Sequence, residues 1–277
     1  MNNIKFLKYK SAWLRNKIFD MCYNVQTGHP GSVFSEIDIL VSLFYGGILK
    51  FDKGNPNSSN RDRIIISKGH AAMGLYPIFA DIDYYDSNEL DKYGTTEGLL
   101  RIFGNINIPG IDATSGSLGH GLGIGSGFAF ADRYDQNIRR TFVILSEGEM
   151  YEGSTWESAL FVSHHNLKNL IIIIDRNNKI ILGDTEDLLK LESIERKWES
   201  FGFTTKRIDG HSHEEIVNSL NELHRFEKPI VLIADTIKGK GVSFMEDDPN
   251  WHYWHEIDEK KYKLAKKELL EELKKNE

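Results

Sequence analysis

The sequence predicts an α/β protein with a doubly wound, mainly parallel sheet and helices on both faces. Three observations carry that expectation. Two continuous apolar runs of strand length, 141-TFVILS-146 and 170-LIIIID-175, flank a helix-length stretch at 152–166. Runs without polar alternation suit strands covered on both faces, the usual condition of a parallel sheet. A second strand–helix–strand pattern follows at 203–209, 213–225 and 229–235, and units of this spacing build parallel sheets. No repeat, low-complexity segment or linker interrupts the chain, so residues 1–277 are expected to form one domain.

The other elements follow from local patterns. Residues 4–25 form an amphipathic helix on the spacing of Phe6, Trp13, Leu14, Ile18 and Met21. The segment 26-QTGHPGS-32 reads as a polar turn and 36–47 as a more apolar helix. The β-branched run 63-RIIIS-67 is a short strand that ends in a glycine turn, KGHAAMG. Residues 83–109 are polar and irregular. The stretch 115-SGSLGHGLGIGSGFAFA-131 is a glycine-rich turn leading into a helix of small residues. From Asp258 the tail reads as a charged, solvated surface helix.

Composition narrows the function classes. The chain has 277 residues, 40% hydrophobic and 27% charged, with a net charge of −7. That charge disfavours a broad nucleic-acid surface. The one cysteine, Cys22, excludes an internal disulfide framework and reads as a buried core thiol. No run approaches the roughly 20 apolar residues that span a membrane, and the N-terminus lacks the apolar core of a secretory signal. A cytoplasmic protein is the expectation.

The chemistry concentrates in 145-LSEGEMYEG-153. Carboxylates at the end of a buried strand are costly unless paired or bound to a cation. In an open parallel sheet, ligands bind beyond the carboxyl ends of the strands. Glu147 and Asn177 follow the two strands of one βαβ unit, so their side chains can converge. A carboxylate, an amide oxygen and a backbone carbonyl are hard ligands that suit Mg²⁺ or Ca²⁺. Mg²⁺ shares its shell readily with phosphate oxygens, and a helix starting near Glu152, with Gly148 before it, offers backbone N–H groups to such a phosphate.

Six segments, in order along the chain, resemble the N-terminal half of the transketolase family of thiamine diphosphate enzymes. They are GHPGS (28–32), SKGHAA (67–72), SGSLGHG (115–121), EGEMYEGSTWESAL (147–160), the asparagine about 30 residues after the strand-end acid, and DTIKGKGVSFMEDDPNWH (235–252). The resemblance implies that Glu147, Asn177 and the Lys179 carbonyl hold Mg²⁺ or Ca²⁺. Gly148 and Glu149 would give backbone N–H groups to the diphosphate, with His70 nearby. Ile181 would lie under the thiazolium ring, and Ser117, Leu118 and Gly119 would contact the aminopyrimidine. His29, His70 and His252 would line the substrate channel as proton carriers, His252 also lying against the cofactor. Glu152 and Glu157 match acids that link two cofactor sites across a dimer. His120 replaces a family glutamine. His164, His165, His211, His213, His224 and His255 fall in no motif and read as structural or surface residues.

The sequence departs from the family at four points. The family's G-D-G reads Ser146-Glu147-Gly148, and Glu is one methylene longer than Asp. The family's I-D-G reads Ile181-Leu182-Gly183, and a further channel histidine is replaced by Asn105. The family's pyrimidine-binding domain has no counterpart in 277 residues. The resemblance therefore implies a ketol transferase chain that works with a separate C-terminal transketolase subunit, in an α2β2 heterotetramer on sugar or sugar-phosphate substrates in a specialised pathway. Two alternatives stand beside it: another thiamine diphosphate activity, of the deoxyxylulose-phosphate synthase or 2-oxo acid type, and a non-catalytic scaffold.

Overall fold

In a computed structural model, which describes residues 4–277, five parallel strands form the central sheet. In chain order the elements are α1 (Ile4–Val25), α2 (Pro30–Tyr45), β1 (Arg63–Ile66), α3 (Tyr76–Asp81), α4 (Gly121–Tyr134), β2 (Thr141–Ser146), α5 (Gly153–His164), β3 (Leu170–Arg176), β4 (Lys179–Ile180), β5 (Gly183–Asp184), α6 (Thr185–Leu188), α7 (Ile194–Ser200), β6 (Thr204–Asp209), α8 (His213–Asn221), β7 (Ile230–Asp235) and α9 (Glu259–Asn276). The sheet order is β1-β2-β3-β7-β6, and β4 and β5 make a small antiparallel hairpin. The chain runs outward from β1 to β6 and then steps back to β7, which gives the doubly wound topology.

Alternate residues of β1, β2, β3 and β7 feed different cores, whereas the edge strand β6 is mostly polar and buries only Ile208. Ile64, Phe142, Ile171 and Ile230 are aligned by register and face one cluster, shared with α1, α2, α8 and α9. Ile65, Val143, Ile172 and Val231 face the other, shared with α4, α5 and α7. Each fully buried aliphatic or aromatic side chain contributes about 1.5–3 kcal/mol, which explains why these strands tolerate almost no polar residue before their last position. Among the described residues, no helix is long and apolar enough to cross a membrane. Cys22 is buried and free, and burial pushes its thiol well up.

Several boundaries differ from the sequence expectation, each for a local reason. The second helix starts at Pro30, inside the expected turn, because a proline at the first helical position brings its φ already set. His29 occupies the N-cap but makes no capping bond, so its imidazole stays available to the cleft. The expected helix at 213–225 ends at Asn221 and continues as a 3₁₀ turn, Leu223–Arg225. Within 83–109, Asp86 accepts a bond from the Asn88 N–H (2.8 Å) and starts a 3₁₀ turn, Ser87–Lys92. The tail helix is not simply solvated. Ala265 and Leu269 are buried, Tyr262 stacks on Tyr23 at 4.1 Å, and Lys266 reaches Asp20 at 2.7 Å on α1.

Candidate functional site

Strand register brings the decisive residues to one level. Ser146 at the end of β2 pairs with Asp175 of β3, and Arg176 pairs with Asp235 of β7. Beyond these ends opens a cleft of about 560 Å³. Its walls come from the β1 end (Lys68, His70), the β2 end (Ser146, Gly148), the segment after β3 (Asn177, Lys179, Ile180, Ile181), the α2 N-terminus (His29, Ser32) and the segment after β7 (Lys238, His252, Tyr253). Gly31 lets that last segment close on α2: a Cβ there would overlap the Trp251 carbonyl oxygen.

Three imidazoles meet in the cleft. The rings of His29 and His70 are 5.0 Å apart, His70 and His252 5.0 Å, and His29 and His252 5.7 Å. Burial, then the Lys238 ammonium, pushes His29 down to about 4 and His252 down to about 3. Burial, then the other two histidines, holds His70 well below its ordinary value. All three are neutral at pH 7. The His29 Nδ1 is buried with no hydrogen-bond partner, and His252 Nδ1 lies 3.3 Å from Lys238 Nζ. A lysine only donates there, so His252 Nδ1 accepts and the ring proton sits on Nε2.

Two lysines form the floor. Lys68 Nζ donates to Asp175 and to the Ser32 carbonyl (2.8 Å), and lies 3.1 Å from Glu36 at an angle that leaves both Glu36 oxygens without a hydrogen bond. Burial opposes the Lys68 charge, but the Asp175 and Glu36 carboxyls outweigh it and raise its pKa. Burial also lifts Glu36 to about 8, against the pull of the Lys68 ammonium. Asp175, with Lys68 beside it and bonds from Ser35 (2.6 Å) and Thr236, stays ionised. Lys238 has no such carboxylate contact among the described residues; burial and then Lys68 push it down to about 8.

The acids after β2 divide into two jobs. Glu149 turns inward and binds Ser67, the Gly119 N–H (2.9 Å) and the Ser146 N–H (2.8 Å), locking the two turns together. Glu147 is buried at 1% exposure. Its Oε2 accepts from Arg176 (2.6 Å) and from the Asn178 N–H (3.0 Å), while its Oε1 is buried with no hydrogen-bond partner. Burial pushes this carboxyl up to about 7 against the pull of Arg176, whose own pKa is raised by Glu147 despite burial. The Asn177 Oδ1 accepts the Lys179 N–H at 3.1 Å. An orphaned carboxylate oxygen and an amide oxygen are the hard donor types that a divalent cation of the Mg²⁺ or Ca²⁺ kind takes. Among the described residues no three His, Cys, Asp or Glu side chains cluster for a metal, so such a cation would need carbonyl and ligand oxygens as well.

Most residues singled out in the sequence line this cleft or lie beneath it: His29, His70, His252, Leu118, Gly148, Asn177, Lys179 and Ile181 at its surface, Glu147 and Glu149 below. Ser117 is exposed outside the lining, and the Gly119 N–H is already taken by Glu149. Glu152 and Glu157 are exposed. Asn105 caps its own turn through the Asn107 N–H (3.0 Å), and Leu182 is 77% exposed. His120 is exposed, one ring nitrogen 3.0 Å from the Leu118 carbonyl. His213 is structural, held by Ser42 at 2.8 Å, and His211 pairs with Asp38 at 2.6 Å. The side chain of His224 lies outside the described residues. Sequence reasoning missed Lys68, Asp175, Arg176 and Lys238, although SKGH, LIIIIDRN and TIKGKG contain them.

Residues 10–269 match the family described as "Transketolase, thiamine diphosphate binding domain". One of the subunits of apulose-4-phosphate transketolase from Phocaeicola vulgatus is 33% identical over 275 residues, 99% of this chain and 97% of that one. The 6-deoxy-6-sulfo-D-fructose transketolase subunit SqwG of Clostridium sp. (strain MSTE9) is 33% identical over 268 residues, 96% and 97% of the two chains. The transketolase structure from Campylobacter jejuni superposes with a TM-score of 0.89 at 29% identity; it covers 99% of this chain, which spans 46% of that one. The chain therefore belongs to the transketolase family and corresponds to its N-terminal, thiamine diphosphate binding domain.

Proposed function

We propose that this chain is the cofactor-holding subunit of a transketolase-type transferase, which moves a two-carbon ketol unit from a ketose to an aldose. The observation that carries the proposal is the meeting of three neutral histidines with Asn177 in one cleft, above the buried, unpartnered Oε1 of Glu147. Glu147 Oε1, Asn177 Oδ1 and the Lys179 carbonyl would hold Mg²⁺, or Ca²⁺ in its place. Gly148, Glu149 and His70 would face the diphosphate, and Ile181 the thiazolium. Ser117 and Leu118 would meet the aminopyrimidine, with Gly119 shaping the turn rather than donating. When bound, thiamine diphosphate supplies the electron sink for breaking and remaking a carbon–carbon bond. The chain's own residues orient the sugar and move its protons. His29 presents a free buried nitrogen, and His252 presents the N–H opposite Lys238, so one ring can accept a hydroxyl proton while another donates.

We further propose that a second, C-terminal-type subunit completes the site, in an α2β2 assembly in the cytoplasm. Relatives matched along their whole length are named as subunits of enzymes for apulose 4-phosphate and 6-deoxy-6-sulfo-D-fructose. That favours a specialised ketose over xylulose 5-phosphate as donor. The test is a calorimetric titration of thiamine diphosphate into the complex purified from its source, with and without Mg²⁺. Saturable binding that requires the metal is expected. No binding with either Mg²⁺ or Ca²⁺ would overturn the reading and leave a scaffold.

A further inference from the structure

We infer that Arg176 is the positioning residue that lets a glutamate serve as the cation ligand at position 147. The inference rests on the reading of Glu147 as that ligand. A glutamate carries its carboxyl one methylene further from the strand than an aspartate and has one more rotatable bond. Left free, it would place its oxygens variably, whereas Mg²⁺ demands near-ideal octahedral geometry. The structure removes that freedom. Arg176 Nη1 and the Asn178 N–H bind Oε2 at 2.6 and 3.0 Å, and Oε1 is left buried and unpartnered. One oxygen is clamped and the other is reserved.

Arg176 is itself fixed. It is 1% exposed; Nη1 also donates to Thr185 Oγ1 at 2.8 Å, and Nη2 reaches Glu186 at 2.8 Å and Glu192 at 3.2 Å. Those two carboxylates answer the obvious objection, that a guanidinium beside a cation site repels the cation. Glu192 is shared with Arg207, which also pairs with Glu195 and Asp235; with Glu147, the two guanidiniums face five carboxylates, so the local field remains attractive.

The test measures Mn²⁺ binding by electron paramagnetic resonance, in the presence of thiamine diphosphate, on the full chain with whatever partner co-purifies. Partners of a ligating side chain are typically worth about 10- to 100-fold in metal affinity. Arg176→Gln should weaken Mn²⁺ binding by about that factor in the native background and by less than about threefold in the Glu147→Asp background, where the shorter acid does not need the clamp. Arg176→Lys, which keeps the charge and one donor, should recover part of the loss. A merely structural ion pair would lower the melting temperature of Arg176→Gln while leaving Mn²⁺ affinity unchanged, or would change it equally in both backgrounds; either result overturns the inference. If Arg176→Gln does not fold, Arg176→Lys alone decides, since unchanged affinity there refutes the clamp. Native protein that binds no Mn²⁺ at all refutes the ligand reading itself, a distinct failure.

Discussion

Replacing His29 with glutamine should flatten the acid limb of the chain's stability curve. Burial, then Lys238, depresses His29 from its ordinary 6.5 to about 4. Below pH 6.5 the unfolded chain takes up a proton that the folded chain refuses until near pH 4. Stability that is complete above pH 6.5 is therefore lost as pH falls towards 4. At about 1.4 kcal/mol per pKa unit, His29 accounts for at most about 3.5 kcal/mol of that loss. Its ring lies 5.0 Å from His70 and 5.7 Å from His252, so the three titrate together and removing one also eases the charging of the others. The coupling makes the flattening larger, not smaller. Urea unfolding in steps from about pH 7.5 to about pH 4.5 measures it for both chains, and carboxylate contributions cancel in the difference. Curves that run parallel within about 0.5 kcal/mol would falsify the claim that the fold keeps His29 neutral.

Three other outcomes follow from the same cleft. Lys68→Met leaves Asp175 ionised and fully buried beside Glu36, so it should cost about 3–5 kcal/mol in guanidinium unfolding; a cost below about 1 kcal/mol would mean Lys68 behaves like a surface ion. Gly31→Ala drives a methyl into the Trp251 carbonyl and should cost about 1–3 kcal/mol, moving the turn that carries His252; an unchanged melting midpoint would refute that close approach. Glu147→Gln removes the charge at nearly constant shape and should remove the Mg²⁺-dependent binding of thiamine diphosphate in calorimetry. Retained metal dependence would take Glu147 out of the ligand set.

The centre of the sheet was legible because β2, β3 and β7 obey one rule, which the polar edge strand β6 does not share. Apolar runs such as TFVILS and LIIIID report burial on both faces, and the register confirms that successive residues feed opposite cores. The floor of the cleft was not legible. Lys68, Asp175 and Glu36 come from the turn after β1, from β3 and from α2, more than 100 residues apart at the extremes, and no local pattern announces a buried ion pair. Arg176 escaped the sequence reading because its partners come from the segments after β2 and β5. The tail helix misled for a simpler reason. Its charged residues dominate its sequence, but two small-to-medium apolar residues, Ala265 and Leu269, suffice to bury one stripe.

The charges in the cleft set an order of events. Lys68 is already neutralised by Asp175, with Glu36 3.1 Å away, so it awaits no ligand. Lys238 is different: buried, bonded only to a serine hydroxyl and a histidine nitrogen among the described residues, and pushed down to about 8. An anion entering the cleft would raise that value again, since a nearby negative charge favours the ammonium. The same anion would make protonation of the histidines less costly. On the proposed reading, a diphosphate thus brings the proton carriers closer to neutral pH at the moment a sugar can use them, while the free cleft keeps them uncharged. A chain whose histidine pKa values, followed by proton NMR, stayed unmoved on adding thiamine diphosphate and Mg²⁺ would break that link between cofactor binding and readiness for proton transfer.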